Sequence, residues 1–161
     1  MEYKHLGKSG LKVSPLCLGT MLFGRETPSQ ESQLIIESAR SSGINFIDTA
    51  DAYVGGDSER LVGRCIKTSR DHWVLATKLA NKMGQGPNKG GLSRKWVMQA
   101  CEESLRRLRT DYIDIYYLHK EDHATPLRET IMAMGDLIKD GKIRYFGVSN
   151  CRSWRVAEIC N

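Results

Sequence analysis

Gly43 to Gly63 reads GINFIDTADAYVGGDSERLVG, a stretch in which a short strand, a row of polar groups and a helix start follow one another. Asn45-Phe46-Ile47 has strand character, yet it runs into Asp48, then Asp51 and Tyr53, before Gly55-Gly56 imposes a turn. Polar groups at the end of a buried strand need a reason. In a parallel α/β protein, ligands bind and chemistry happens at the carboxyl ends of strands. Asp48 and Asp51 serve equally well as helix caps or loop carboxylates, and Tyr53 as packing. The stretch alone leaves both readings open.

Working outward, the upstream chain supplies a helix and two short strand signals. Thr27-Pro28-Ser29-Gln30 fits a helix start, with Thr27 as N-cap, Pro28 at the first helical position and Gln30 completing a capping box. Leu34, Ile35 and Ala39 are the expected buried stripe, and Gly43 the stop. Before it, Ser14 to Met21 is a strand candidate with Gly19 at its end, where backbone can approach a ligand closely. Tyr3 to Val13, with Gly7-Lys8-Ser9-Gly10 between two short segments, reads as a β-hairpin.

Downstream the same unit repeats. Asp57 or Ser58 is expected to cap a helix whose Leu61, Val62, Cys65 and Ile66 share a face, and His72 to Lys78 is the next strand. Asn81 to Gly91 is a glycine-rich, lysine-bearing loop able to cover a pocket. Ser93 caps the clearest helix, with Val97, Ala100, Cys101, Ser104, Leu105 and Leu108 at helical spacing. Tyr112 to His119 is a strand, Thr125-Pro126 starts a helix through Leu127, Ile131, Met134 and Ile138, and Ile143 to Val148 is a fifth strand ending in Ser149-Asn150. Ser153 to Cys160 is helical, and Trp73, Trp96 and Trp154 are expected to pack.

Strands alternating with amphipathic helices imply right-handed βαβ units and a parallel sheet. A Rossmann fold predicts GxGxxG after the first strand, and Cys17-Leu18-Gly19-Thr20-Met21 does not supply it. A (β/α)8 barrel places reactive residues at the ends of several strands, as Asp48, Lys78, His119 and Asn150 are placed here. Lys78 as a solvated terminus, His119 as a core histidine and Asn150 as a helix cap are the bland alternatives. Four such coincidences at successive strands would be unusual.

Size and charge narrow the setting. A chain of 161 residues allows one core, so residues 1–161 are expected to form a single domain. The net charge of +5 is scattered among acids, as in Glu102-Glu103 beside Arg106-Arg107, which suits a solvated face rather than a nucleic-acid stripe. Cys17, Cys65, Cys101, Cys151 and Cys160 are odd in number and widely spaced, suggesting neither a disulfide framework nor a metal site. Met1 to Lys4 leads into polar sequence, and no run is long enough to span a membrane, so the expectation is a cytoplasmic protein with no membrane partner.

Asp48, Tyr53, Lys78 and His119 are chemically complementary. A phenol is a poor acid at neutral pH, and an ammonium beside it stabilises the phenolate. Lys78 would supply that charge, Asp48 would hold Lys78, His119 would donate to a carbonyl oxygen and Tyr53 would deliver the proton. Such a site reduces carbonyls when something else brings a hydride.

GINFIDTADAYVGGDSERLVG, ATK with Lys78, YYLH with His119 and GVSN with Asn150 together resemble the aldo-keto reductases. That resemblance covers essentially the whole chain and implies a TIM barrel that binds NADPH, with NADH as the variant, and reduces aldehydes or ketones to alcohols. It implies Tyr53 as proton donor, Lys78 as its tuner, Asp48 orienting Lys78 and His119 positioning the substrate carbonyl. Gly19, Thr20, Met21, Asp48, Ser149 and Asn150 resemble cofactor-binding positions, the last two at the carboxamide. The same scaffold resembles potassium-channel β subunits, a non-enzymatic NADPH-binding alternative; an inactive fragment is another. A full barrel has eight units and about 250 residues, so the domain is expected to be a barrel truncated after its fifth strand and incomplete at the C-terminus. Its exposed sheet edges would then invite self-association.

Overall fold

Strand follows strand in space as it does along the chain. In the computed structural model, which describes residues 1–160, the main sheet is parallel with the order β3 (Leu18–Gly19), β4 (Phe46–Asp48), β5 (Val74–Leu79), β6 (Ile113–Leu118) and β7 (Ile143–Val148). The connections are α1 (Ser29–Ser41), α2 (Asp57–Ile66), α3 (Arg94–Leu108) and α4 (Leu127–Lys139), and α5 (Ser153–Cys160) follows β7. No strand doubles back, so the sheet lacks the switch point of a doubly wound fold and forms an arc of a (β/α) barrel. The expected hairpin is present as β1 (Lys4–His5) paired antiparallel with β2 (Lys12–Val13).

The two faces of the arc bury different groups. Between sheet and helices lies the larger core, including Ile47, Leu75, Leu79, Tyr116, Leu118, Trp96, Leu108 and Leu137. On the inner face a smaller cluster joins Val74, Ala76 and Ile115 to Val13, with Leu6, Leu11, Phe46 and Tyr117 against it. The hairpin therefore plugs the inner face near the starts of the strands. Because side chains alternate along a strand, Asp48 shares its side with Phe46, and Lys78 with Val74 and Ala76. Asp48 and Lys78 are thus inner-face residues displaced to the carboxyl end.

Several expected local features are corrected. Thr27 does not cap α1: its backbone is committed to Leu22 and Gly24, and Pro28, extended at φ −60°, stands at the cap without a side-chain bond. The buried face of α1 is Ser32, Ile36 and Ala39, which leaves Leu34 60 % exposed. Neither Asp57 nor Ser58 caps α2; left-handed Gly56 precedes it, Asp57 pairs with Arg60, and Ser58 is buried against Thr20 and Thr49. In α4 the buried side is Thr130, Ala133, Met134 and Leu137, so Ile138 faces out. Trp73 and Trp96 are core, but Trp154 is 55 % exposed. Ser93 caps α3 as expected, accepting from the Trp96 N–H.

Helix α2 lies close enough to α3 that the joint admits no side chain at Gly63. A Cβ there would stand 2.3 Å from the Leu108 carbonyl oxygen and 2.6 Å from its Cα. Backbone cannot step aside as a side chain can. Gly63→Ala is expected to destabilise the chain by about 3 kcal/mol, read as a lower denaturant midpoint; an unchanged midpoint would show that α2 is not pinned on α3.

Candidate active site

An ammonium has three hydrogens to place, and Lys78, 8 % exposed at the end of β5, places all three. Nζ lies 2.5 Å from Asp48 Oδ2, 2.8 Å from the Thr49 carbonyl and 3.1 Å from the Tyr53 phenol oxygen. The β4–β5 register pairs Asp48 with Ala76, two residues before Lys78, which lets the carboxylate meet the ammonium. Beyond Asp48 the chain continues along β5 through Thr49 N–H to Ala76 and Asp51 N–H to Lys78. It then turns sharply through left-handed Val54, Gly55 and Gly56. Val54 is β-branched and disfavoured there, so the turn that presents Tyr53 is held by its surroundings rather than by local preference.

His119 closes the cluster from β6. Its ring meets the Tyr53 ring edge-on, with centroids 5.9 Å apart. Its backbone N–H bonds to Leu79 O, and its carbonyl accepts from Asn150 Nδ2 at 2.8 Å. Burial, then the Lys78 charge, holds the imidazole below its ordinary range, so the ring is neutral at neutral pH. Asn81 Nδ2 stands 3.1 Å from His119 Nδ1. Sequence reasoning placed Asn81 only at the head of a loop, although a polar residue just past a buried strand is the signal that identified Lys78 and His119.

Gly19, at the end of β3, has nothing within 4 Å of where a Cβ would stand, leaving its face open. Met21 is 59 % exposed. Thr20 is different: it is fully buried, its hydroxyl and N–H donate to Asp48 O, and its carbonyl accepts from Ser58. Its polar groups are spent on joining the end of β3 to β4 and to α2. Ser149 N–H bonds to Leu118 O, and left-handed Asn150 gives its amide N–H to Ser149 Oγ as well as to His119.

Behind β5 lies a second polar layer. Glu59, fully buried, accepts from Thr77 Oγ1 at 2.6 Å and from Arg107 Nε at 2.5 Å. Arg107 also reaches Ser104 Oγ. Asp51 is equally buried, yet neither of its oxygens has a hydrogen-bond partner among the described residues, and the Tyr116 hydroxyl is orphaned too. Burial, then the neighbouring Glu59 carboxylate, pushes the Asp51 acid up to about 7, with Arg107 opposing.

The sequence signature of the aldo/keto reductase family matches residues 15–161. The chain belongs to the aldo/keto reductase family. The holo form of an aldo-keto reductase from Bacillus halodurans superposes with a TM-score of 0.89 at 39% identity, over 98% of this chain and 53% of the other. A probable voltage-gated potassium channel subunit beta of Arabidopsis thaliana is 40% identical, and its namesake in Oryza sativa 38%, each over 98% of this chain and 49% of its own length. An uncharacterized oxidoreductase of Bacillus subtilis is 38% identical over 98% of this chain and 52% of its own. The chain thus spans about half the length of the curated relatives it matches. No helix among the described residues is long and apolar enough to cross a membrane.

The Asp51 acid titrates near 7 when folded against 3.8 ordinarily. Its protonated form therefore contributes stability that is complete below about pH 4 and lost as pH rises through about 7. Asp51→Asn removes that dependence. Between pH 5 and pH 8 the variant should gain on wild type by about 2 kcal/mol, with ~2.7 as the ceiling for the two pH units between 5 and about 7 at 1.36 per unit. Parallel unfolding curves would show that Asp51 ionises freely in the folded chain.

Proposed function

We propose that this chain carries the proton-donating side of a reaction that reduces an aldehyde or ketone to an alcohol at the expense of a nicotinamide cofactor, NADPH in the first instance. The observation that carries the reading is the Lys78 ammonium shared among Asp48, Thr49 and Tyr53. A hydrogen on the phenol oxygen stabilises the negative charge left there when Tyr53 gives its proton to the substrate oxygen. Asp48 pairs with Lys78 and keeps it aimed, and the His119 ring supplies a second donor to the same oxygen. Family membership supports the oxidoreductase class.

The chemistry of Ser149 and Asn150 suits a carboxamide. Ser149 Oγ accepts from Asn150 and so keeps its own hydrogen to donate, while Asn150 Oδ1 accepts no bond among the described residues. One donor and one acceptor side by side match an amide's C=O and NH2. The open face of Gly19 lets backbone approach a flat ring closely. When bound there, the nicotinamide supplies the hydride. These residues hold and orient it; Thr20 acts through the β3 to β4 joint.

A second reading has its own support: two plant relatives are named as probable potassium-channel β subunits. Here the chain would bind the cofactor and serve a channel as a regulatory partner.

NADPH oxidation with a simple aldehyde tests the first reading. Tyr53→Phe is expected to lower turnover about 100-fold or more with NADPH affinity close to wild type. Unaltered turnover would remove Tyr53 from the mechanism. Channel co-purification unaffected by Tyr53→Phe, with no aldehyde reduction by wild type, would favour the regulatory reading.

A further inference from the structure

Asn81 lies two residues beyond β5, yet its side chain reaches the histidine at the end of β6. An amide nitrogen donates and never accepts, so His119 Nδ1, 3.1 Å from Asn81 Nδ2, must be the acceptor. A neutral imidazole that accepts at Nδ1 carries its hydrogen on Nε2. Nε2 has no protein partner among the described residues, so that hydrogen is free for a ligand. The turned amide would reverse everything: Asn81 Oδ1 would accept from Nδ1, and Nε2 would present a lone pair that repels a carbonyl oxygen.

We infer that Asn81 is a positioning residue, locking His119 in the tautomer whose Nε2–H is donated to the substrate carbonyl beside the Tyr53 phenol. The inference rests on the proposed carbonyl reduction for its purpose, though not for its geometry.

Two independent features support the lock. Ala80 has φ 125°, a conformation that side chains rarely adopt, and it is the residue that turns the chain between Leu79 and Asn81. Such outliers persist only where the surroundings over-determine them, commonly at ligand and catalytic sites. Here Ala80 is buried, and its carbonyl accepts from the Gly91 N–H, which fastens the far end of the loop. The rest of His119 is also fixed, by Leu79 O on its N–H and Asn150 on its carbonyl. With the backbone held on both sides, the ring contact to Asn81 decides where the hydrogen sits. Lys78, whose ammonium is fully engaged, contributes charge but no competing bond to Nδ1.

The test is the His119 tautomer, read by long-range 1H–15N correlation on the 15N-histidine-labelled chain at pH 8, with the signal assigned by its loss in His119→Gln. Wild type should show hydrogen on Nε2 and a bare Nδ1. Asn81→Ala should give a tautomer mixture. Asn81→Asp, nearly the same shape, offers only acceptors and should put hydrogen on Nδ1. Hydrogen on Nδ1 in wild type, or a wild-type pattern in both variants, overturns the inference. Where aldehyde reduction is measured, Asn81→Ala should lower kcat roughly ten- to a hundredfold, less than the ~100- to 1000-fold of losing an oxyanion donor outright, with KM for NADPH unchanged. The expected tautomer shift without any aldehyde reduction by wild type would uphold the Asn81 lock and count against carbonyl reduction.

Discussion

A nearly buried ammonium is costly unless every hydrogen finds an acceptor and the charge finds a counter-ion. Lys78 meets both conditions through Asp48, Thr49 and Tyr53, and much of the surrounding architecture serves that arrangement. The β4–β5 register brings Asp48 within reach, and Thr20 anchors the Asp48 carbonyl from β3. The strained turn at Val54 returns the phenol to the ammonium. Removing Asp48 would leave an unpaired charge in a site that water reaches poorly, so these residues stand as a unit.

Behind this inner cluster, the Glu59 and Arg107 pair ties α2 to α3 and holds Thr77, the residue before Lys78. Such a pair contributes little net stability over an apolar equivalent but penalises any misplacement of either partner. It therefore fixes how the two helices sit against the end of β5. Asp51, placed in the same layer without a partner, is tolerated as a neutral acid, which makes that layer sensitive to pH.

The parallel order of strands, the hairpin and the residues at the strand ends were legible because they depend on alternation and on polar groups interrupting buried runs. Asp48, Lys78 and His119 share this signature, and the structure brings them together with Tyr53. What was not legible depends on tertiary competition. Leu34, Ile35 and Ile36 all fit a helical stripe, and only packing chose Ile36. Thr27 and Ser58 are good capping residues recruited elsewhere, the first by a backbone turn and the second by Thr20 and Thr49. Asp51 reads as a loop carboxylate because nothing local announces that α3 and β6 will cover it. Asn81 was hidden by the glycine-rich loop that follows it, and its partner lies 38 residues away.

The most direct measurement is the rate at which NADPH added to the protein is oxidised by a simple aldehyde, compared between wild type and Lys78→Met. Methionine keeps the length of the stem and removes the charge and all three hydrogen bonds. If the ammonium is what makes the Tyr53 phenol a proton donor, the single-turnover rate falls on the order of 100-fold or more, with NADPH binding retained. A rate within a few-fold of wild type would contradict the account.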